Sequence, residues 1–354
     1  MRNEVFVRNG RLKRAGKKTL DSRLDALLIS DRYDIFYLTG FFSTGNILLL
    51  PVKGRAVYLV DSMNDDLARK MLEGLDLDIA AGPVTRGLIK CIRDMGIKRL
   101  GIDENNLPAS IYRRLSGAVR KLRAISSPGI IGDMRAVKER PEIAAIKKAA
   151  KETIRIWKEI KKNISPRISE QELANMLGTR IRKMGYDSSF PAIVAFGENS
   201  AYPHAIPSRR KLRGDEHVLV DFGIRLKGYC SDLTRTWAKG RMNRKIRELE
   251  KAVNIVQDRT IKTLKPGTDI GSAVKKANRF FVDNNLGQYI RHGLGHGIGL
   301  NVHEIPFLSE SSRRRLKKGM VVTIEPGLYV PGVGGIRKED MVLITTKGCE
   351  VLTR

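Results

Sequence analysis

Four separated segments of the 354-residue chain hold the residue types from which hydrolytic chemistry is built. The first runs Val218-Leu219-Val220-Asp221-Phe222-Gly223 and the second Gly228 to Thr236, with Asp232 inside it. The third, His292 to Glu304, interleaves His292, His296 and His303 with glycines. The fourth pairs Thr323-Ile324-Glu325-Pro326-Gly327 with Gly335-Ile336-Arg337-Lys338-Glu339-Asp340. Asp221 ends an apolar run. Asp232 follows eleven residues later, a distance that suits a chain returning along a hairpin to the same level. Glu325 interrupts Val321–Ile324 just before Pro326. A carboxylate at the edge of a buried strand is costly unless it is paired or binds a cation. One such residue is ordinarily a cap or a surface group. Three of them beside a histidine cluster make that explanation weak.

The chain has five histidines, and three fall within twelve residues. His204 sits in Tyr202-Pro203-His204, and His217 stands alone before Val218, as a hydrogen-bonded core or surface histidine would. Gly293, Gly295, Gly297 and Gly299 allow the backbone to approach a ligand closely. A phosphate cradle is a poorer reading of that loop, because no Lys-Ser/Thr pair follows it.

In this order, the segments resemble the metallopeptidases of the pita-bread fold: aminopeptidase P, prolidase, methionine aminopeptidase and creatinase. The resemblance covers roughly residues 138–354. A weaker likeness, with Tyr37-Leu38-Thr39-Gly40 in a familiar place, links the N-terminal part to the smaller domain of prolidases and aminopeptidases P. The resemblance over residues 138–354 implies five metal ligands. Asp221 matches an aspartate that binds one metal through both oxygens, and Asp232 one that bridges two metals. His296 matches the only histidine ligand, Glu325 a terminal glutamate on the same metal, and Glu339 the bridging glutamate. By the same resemblance, His204 and His303 contact substrate and stabilise the tetrahedral intermediate. His292 lies near the substrate side, and Arg337 steadies a ligating carboxylate. Lys338 departs from the family, which usually has an aliphatic residue there. On a strand it would point away from the metals.

Four carboxylates and one imidazole make an oxygen-rich site, which suits manganese, cobalt or iron(II) better than tetrahedral zinc. The resemblance points to two ions, manganese or cobalt first, with iron or zinc behind them. The implied reaction is attack by a metal-bridging hydroxide on the bond before proline. Glu325 would pass a proton to the leaving nitrogen. Xaa-Pro dipeptidase is favoured over Xaa-Pro aminopeptidase. A dipeptidase needs a cation for the substrate carboxylate, and no single arginine of this sequence can be named for it. Methionine aminopeptidase normally lacks a counterpart to residues 1–130, and relatives of creatinase lack so full a ligand set. A non-catalytic binding module of the same fold is the reading from another class. A di- or oligopeptide substrate and a homodimer are also implied.

These residues need a scaffold. Strand-like runs at 26–29, 47–50, 56–60 and 99–102 alternate with amphipathic helices at 65–75 and 87–95, predicting an α/β domain with a mixed sheet. Ser126-Ser127-Pro128-Gly129 is a loop signal. A helix is expected from Arg140-Pro141-Glu142 to about Asn163, since proline suits a helix start. Ser169 and Glu172 form a capping-box pattern before a helix ending near Gly185. Strands follow at 192–196, 218–222 and 234–238, helices at 245–264 and 270–284, and strands at 321–324, 327–330 and 341–344. The expected fold class is α+β: an N-terminal α/β domain over 1–132, and a catalytic domain with an antiparallel sheet over 133–354. No short internal repeat is visible.

Composition sets the outer limits. Apolar residues make up 42% of the chain, enough for sizeable cores, and the length suggests two of them. Cys91, Cys230 and Cys349 form no metal-binding or disulfide pattern and fit a reducing compartment. No signal-peptide pattern or membrane-length run is present, so a cytoplasmic location is the default. The net charge of +28 comes from 66 basic and 38 acidic residues, with clusters at 209–213 and 313–318. No nucleic-acid motif accompanies it, so a basic solvated surface is expected and any nucleic-acid contact would be non-specific.

Overall fold

The computed structural model describes residues 2–127, 129–214, 216–240 and 242–354, with side chains from residue 4 onward. The chain divides into two compact units, Met1–Arg135 and Ala136–Arg354.

The first unit is built on six strands: β1 (Ala26–Ile29), β2 (Ile47–Pro51), β3 (Ala56–Val60), β4 (Leu77–Ala81), β5 (Arg99–Ile102) and β6 (Arg123–Ser126). Their order is β4-β3-β2-β1-β5-β6. The two pairs among β1, β2 and β3 are antiparallel and the other three parallel, giving the mixed sheet expected. Central strands β1–β3 are buried throughout, which is why they read as continuous apolar runs. Helices α1 (Arg2–Asp21), α2 (Arg32–Thr39), α3 (Asp65–Met71), α4 (Val84–Asp94) and α5 (Ala109–Ala118) belong to this unit, and α6 (Ile130–Ala136) spans the boundary in sequence.

Helix α1 has no counterpart in the sequence reading, where its cations masked a short apolar stripe. Leu12 and Ala15 are buried, and Arg11 is buried too, donating to the Tyr37 carbonyl at 2.8 Å with its guanidinium over the Tyr37 ring. Helix α2 is set by its ends: Asp31 accepts from the Tyr33 and Asp34 amides, and Gly40 closes it at φ 73°. Of the loop expected at 126–129, Ser126 ends β6 and Pro128 lies outside the described residues.

The second unit opens with α7 (Arg140–Lys161) and α8 (Glu170–Lys183), followed by short strands β7 (Asp187–Ser188), β8 (Ile193–Phe196), β9 (Val218–Phe222), β10 (Ile224–Leu226), β11 (Tyr229–Cys230) and β12 (Leu233–Trp237). Helices α9 (Arg244–Thr263) and α10 (Ile270–Asp283) come next. The remaining strands are β13 (Gly295–Gly297), β14 (Glu304–Leu308), β15 (Val321–Ile324), β16 (Gly327–Val330), β17 (Gly334–Arg337), β18 (Asp340–Ile344) and β19 (Cys349–Val351). All their pairings are antiparallel, in sheets ordered β12-β9-β8, β11-β10-β7, β14-β13-β15-β18-β19 and β16-β17. The Ser169–Glu172 capping box forms as its spacing predicts.

A duplication that the sequence conceals appears in the backbone. Each helix pair ends its linker on a two-way bridge to a distant basic loop. Arg167 N–H donates to Leu212 O and Leu212 N–H to Ile168 O. In the second half Gly267 N–H donates to Leu316 O and Leu316 N–H to Thr268 O. Glu170 and Ile270 then donate to Arg210 and Arg314. The buried leucines and the helix caps Ser169 and Asp269 are what the halves share. Two separate apolar cores follow, one under α7 and α8 with β8–β10, the other under α9 and α10 with β14–β18.

Candidate active site

The strand register places the carboxylates. On the β9–β12 hairpin, Asp221 faces Thr234, so Asp232, two residues before Thr234, lies on the same face as its diagonal neighbour. Gly223 allows the two sides of the hairpin to approach closely here, because a Cβ there would overlap the Ser231 carbonyl oxygen. On the five-stranded sheet, Ile324 pairs with Asp340, which brings Glu325 level with Glu339. His296 lies in β13 beside β15, and its amide donates to Thr323 Oγ1 at 3.0 Å. Gly295, at φ 156°, fits against the Thr323 carbonyl, where a side chain could not. The Glu339 amide donates to Thr234 O at 3.2 Å, joining the two sheets at the carboxylates.

One cavity of about 450 Å³ receives all of them. Asp221, Asp232, His296, Glu325, Glu339, His204, His292, His303 and Arg337, the nine residues singled out in the sequence, all line it. Its other walls are largely apolar: Phe190, Ile193, Val302, Phe307 and Leu308.

The electrostatics are those of charges forced together. His296 Nε2 is 3.2 Å from Glu325 Oε1 and 3.8 Å from Asp232 Oδ2. Burial alone would lower the imidazole, but the Glu325 hydrogen bond and charge, with Glu339, lift it to about 9. Burial alone would raise Glu325, yet the His296 bond and charge take it down to about 2. Burial and the neighbouring carboxylates push Glu339 up to about 8 and Asp232 well above the usual range. Asp221 is raised by burial despite Arg337. Burial lowers His292, and burial with His296 lowers His303, whose ring lies 4.4 Å from that of His296.

A supporting shell fixes one oxygen of several carboxylates and leaves the other bare. Arg337 Nη2 donates to Asp221 Oδ2 at 2.7 Å, Nε to Thr234 Oγ1 at 3.0 Å, and Nη1 to the Tyr329 hydroxyl at 2.8 Å. The carboxylate steadied by Arg337 is therefore that of Asp221, and its link to neighbouring Glu339 runs through Thr234. The Thr234 hydroxyl donates to Glu339 Oε2 at 2.8 Å, and that of Thr323 donates to Glu325 Oε1 at 3.2 Å. Asp221 Oδ1, Asp232 Oδ1 and Glu339 Oε1 are buried with no hydrogen-bond partner. Asp232, His296 and Glu339 each offer a ligand atom, all within 4.8 Å of one another. Bare, buried, like-charged oxygens of this kind fit multivalent cations, which would repay their desolvation.

Thr234, Thr323 and Tyr329 went unremarked in the sequence. The two threonines lie inside the quoted motifs, two residues from Asp232 and Glu325, so the period of a strand could have found them. Nothing in the sequence marks Tyr329, whose hydroxyl meets His292 Nε2 at 2.7 Å. Lys338 lies between β17 and β18 rather than on a strand. Burial lowers its ammonium, and the carboxylates acting on it are Asp258 and Asp340, not those of the cavity.

Comparison with known proteins agrees with this geometry. Residues 144–346 match the model of metallopeptidase family M24, and residues 11–137 that of the creatinase/prolidase N-terminal domain. An uncharacterized peptidase of Bacillus subtilis is 33% identical over 332 residues, 93% of this chain and 94% of that protein. The solved Xaa-Pro dipeptidase from Bacillus anthracis superposes with TM-score 0.91 at 33% identity, covering 98% of this chain and 97% of that one. The X-Pro aminopeptidase from Thermotoga maritima gives 0.82 at 31% identity, with 94% and 96% covered. With carboxylates and imidazole drawn from two sheets into one cavity, and with matches of this extent, the chain belongs to metallopeptidase family M24 and is a peptidase.

Proposed function

We propose that the cavity hydrolyses Xaa-Pro bonds with two divalent cations held by Asp221, Asp232, His296, Glu325 and Glu339. The observation that carries this reading is the set of three unpartnered carboxylate oxygens facing an apolar-walled cavity. Bound there, the cations would activate a water and polarise the scissile carbonyl. The hard, oxygen-rich donor set favours manganese or cobalt.

The chain's own groups have separable tasks. Arg337 and Thr234 hold Asp221 and Glu339 by one oxygen each, so that the second stays directed inward. Thr323 donates to Glu325 Oε1, the oxygen that also faces His296. Glu325, which lines the cavity, would take up a proton and release it to the leaving proline nitrogen. His204 and His303 line the same cavity and would donate to the oxygen that becomes negative. His292 is oriented by the Tyr329 hydroxyl on one side and by the Gly293 carbonyl at 2.8 Å on the other. Phe190, Ile193, Val302 and Phe307 suit a pyrrolidine ring, which is apolar and brings no amide N–H to satisfy.

The similarity to the Bacillus anthracis enzyme makes a dipeptide the first substrate to try. The test is hydrolysis of Met-Pro and of a longer Xaa-Pro-Xaa peptide by metal-free protein with manganese or cobalt added back. Turnover of the dipeptide alone identifies a dipeptidase, and turnover of the longer peptide an aminopeptidase. If metals bind and neither peptide is cleaved, the Xaa-Pro reading fails.

A further inference from the structure

A regular charged feature outside the cavity is the outward face of α7. Lys148, Lys151, Arg155 and Lys158 are exposed along the helix, and Lys162 at its C-cap continues the row. The spacing alternates three and four, which keeps all five on one face. At 1.5 Å per residue the row extends about 21 Å along a single helix. Arg155, at its centre, is taken up by Glu152 and Glu159, and Glu159 also pairs with Arg180. Among the described residues, no ion pair involves Lys148, Lys151, Lys158 or Lys162, so their charge faces solvent. The other side of α7 is anchored in the core through Ile146, Ala149, Ile156, Trp157 and Ile160.

The row suits one class of polyanion. An acidic membrane would be gripped by apolar side chains sinking beneath the headgroups, but those of α7 face the protein core. Single-stranded nucleic acid would be held by exposed aromatic rings on which bases stack, and the exposed positions of α7 carry none. A duplex needs neither, because its backbone is a rigid line of phosphates that cations bind without reading bases. We propose that this face of α7 docks double-stranded nucleic acid through its phosphate backbone, independently of sequence.

The test uses the full chain and a fluorescently labelled 20-base-pair duplex, titrated by anisotropy at several salt concentrations. Binding is expected to weaken steeply with salt. Lys148→Glu, Lys151→Glu, Lys158→Glu and Lys162→Glu together should weaken it about 100-fold or more at low salt. They should also reduce the slope of log affinity against log salt by about 3.6, at about 0.9 per lost phosphate contact. Lys275→Glu, Lys276→Glu, Lys317→Glu and Lys318→Glu together change the net charge equally but lie elsewhere, and should cost much less. All eight side chains are exposed, so both variants should keep the wild-type melting temperature. Equal losses in the two variants would show that net charge alone is responsible and overturn the proposal. So would undetectable duplex binding, or tighter binding to a single strand or to phosphatidylserine vesicles than to the duplex.

Discussion

Glu170 and Asp232 are both buried carboxylates of the second unit, 1% and 4% exposed. Glu170 is surrounded by donors: the Phe196 amide at 2.8 Å, Asn199 Nδ2 at 3.0 Å, the Ser208 amide at 3.0 Å and the Ser208 hydroxyl at 2.6 Å. Asp232 instead faces other carboxylates, and one of its oxygens has no partner. Both acids are costly to bury, but the protein repays only one of them with its own atoms. The first is a structural brace that ties α8 to β8 and to the segment after His204. The second keeps one oxygen with no donor at all and lies among other carboxylates, as a group meant to receive something from outside would do. Burial alone therefore does not separate a structural acid from a functional one, whereas the count of donors around it does.

The contrast can be broken by exchanging the consequences. Asp232→Asn should lower kcat/KM by on the order of 10³-fold or more, since it removes a bare oxygen from the proposed cation site. The metal-free protein should melt no lower than wild type, because an acid that burial and its carboxylate neighbours disfavour is gone. A marked loss of metal-free stability would place Asp232 in the structural class. Glu170→Ala should do the reverse and destabilise the fold by about 3 kcal/mol, through four donors left without an acceptor. Activity per folded molecule should be retained, as denaturant titration and active-site normalised kinetics would show.

Arg337→Lys sharpens the comparison at the margin of the site. A lysine keeps the charge but not the fork that reaches Asp221, Thr234 and Tyr329 together. An activity loss of about 10- to 100-fold is expected, with weaker cation binding by calorimetry.

The smallest effect concerns His217, which meets Ser200 Oγ at 2.8 Å in the structural class of buried groups. Burial lowers its imidazole to about 4. Its folded pKa is thus below the unfolded value of 6.5, and the unfolded chain binds more protons between the two. The stability it contributes is complete above 6.5 and is lost as pH falls toward 4. Wild type should lose about 1–2 kcal/mol from this source between pH 7 and pH 5. His217→Gln should flatten that limb of the stability profile, while an unchanged profile would remove His217 as its cause.

Much of the scaffold was legible because local pattern and burial agree. The fully buried strands β1, β2, β3 and β9 are apolar runs, and the capping box of α8 is a four-residue signal. Helix α1 was hidden because its stripe of buried residues is narrow and its remaining positions are cationic. Short strands such as β13, β17 and β19 carry too few residues for a period to emerge. The paired bridges of the duplicated halves were invisible because they are backbone contacts, which side-chain identity does not record.

For the site, the sequence by itself determined the inventory: which acids and histidines stand in which ordered motifs, and hence the resemblance to a peptidase family. Residue chemistry and spacing are properties of the chain alone. Only the tertiary structure decided that nine residues spread from His204 to Glu339 line one cavity, and that Arg337 holds Asp221, 116 positions away. It alone separated the carboxylate oxygens with donors from those without. The physical reason is that a buried charge is stabilised or left bare by groups within about 3 Å of it, and in this fold those groups come from distant strands.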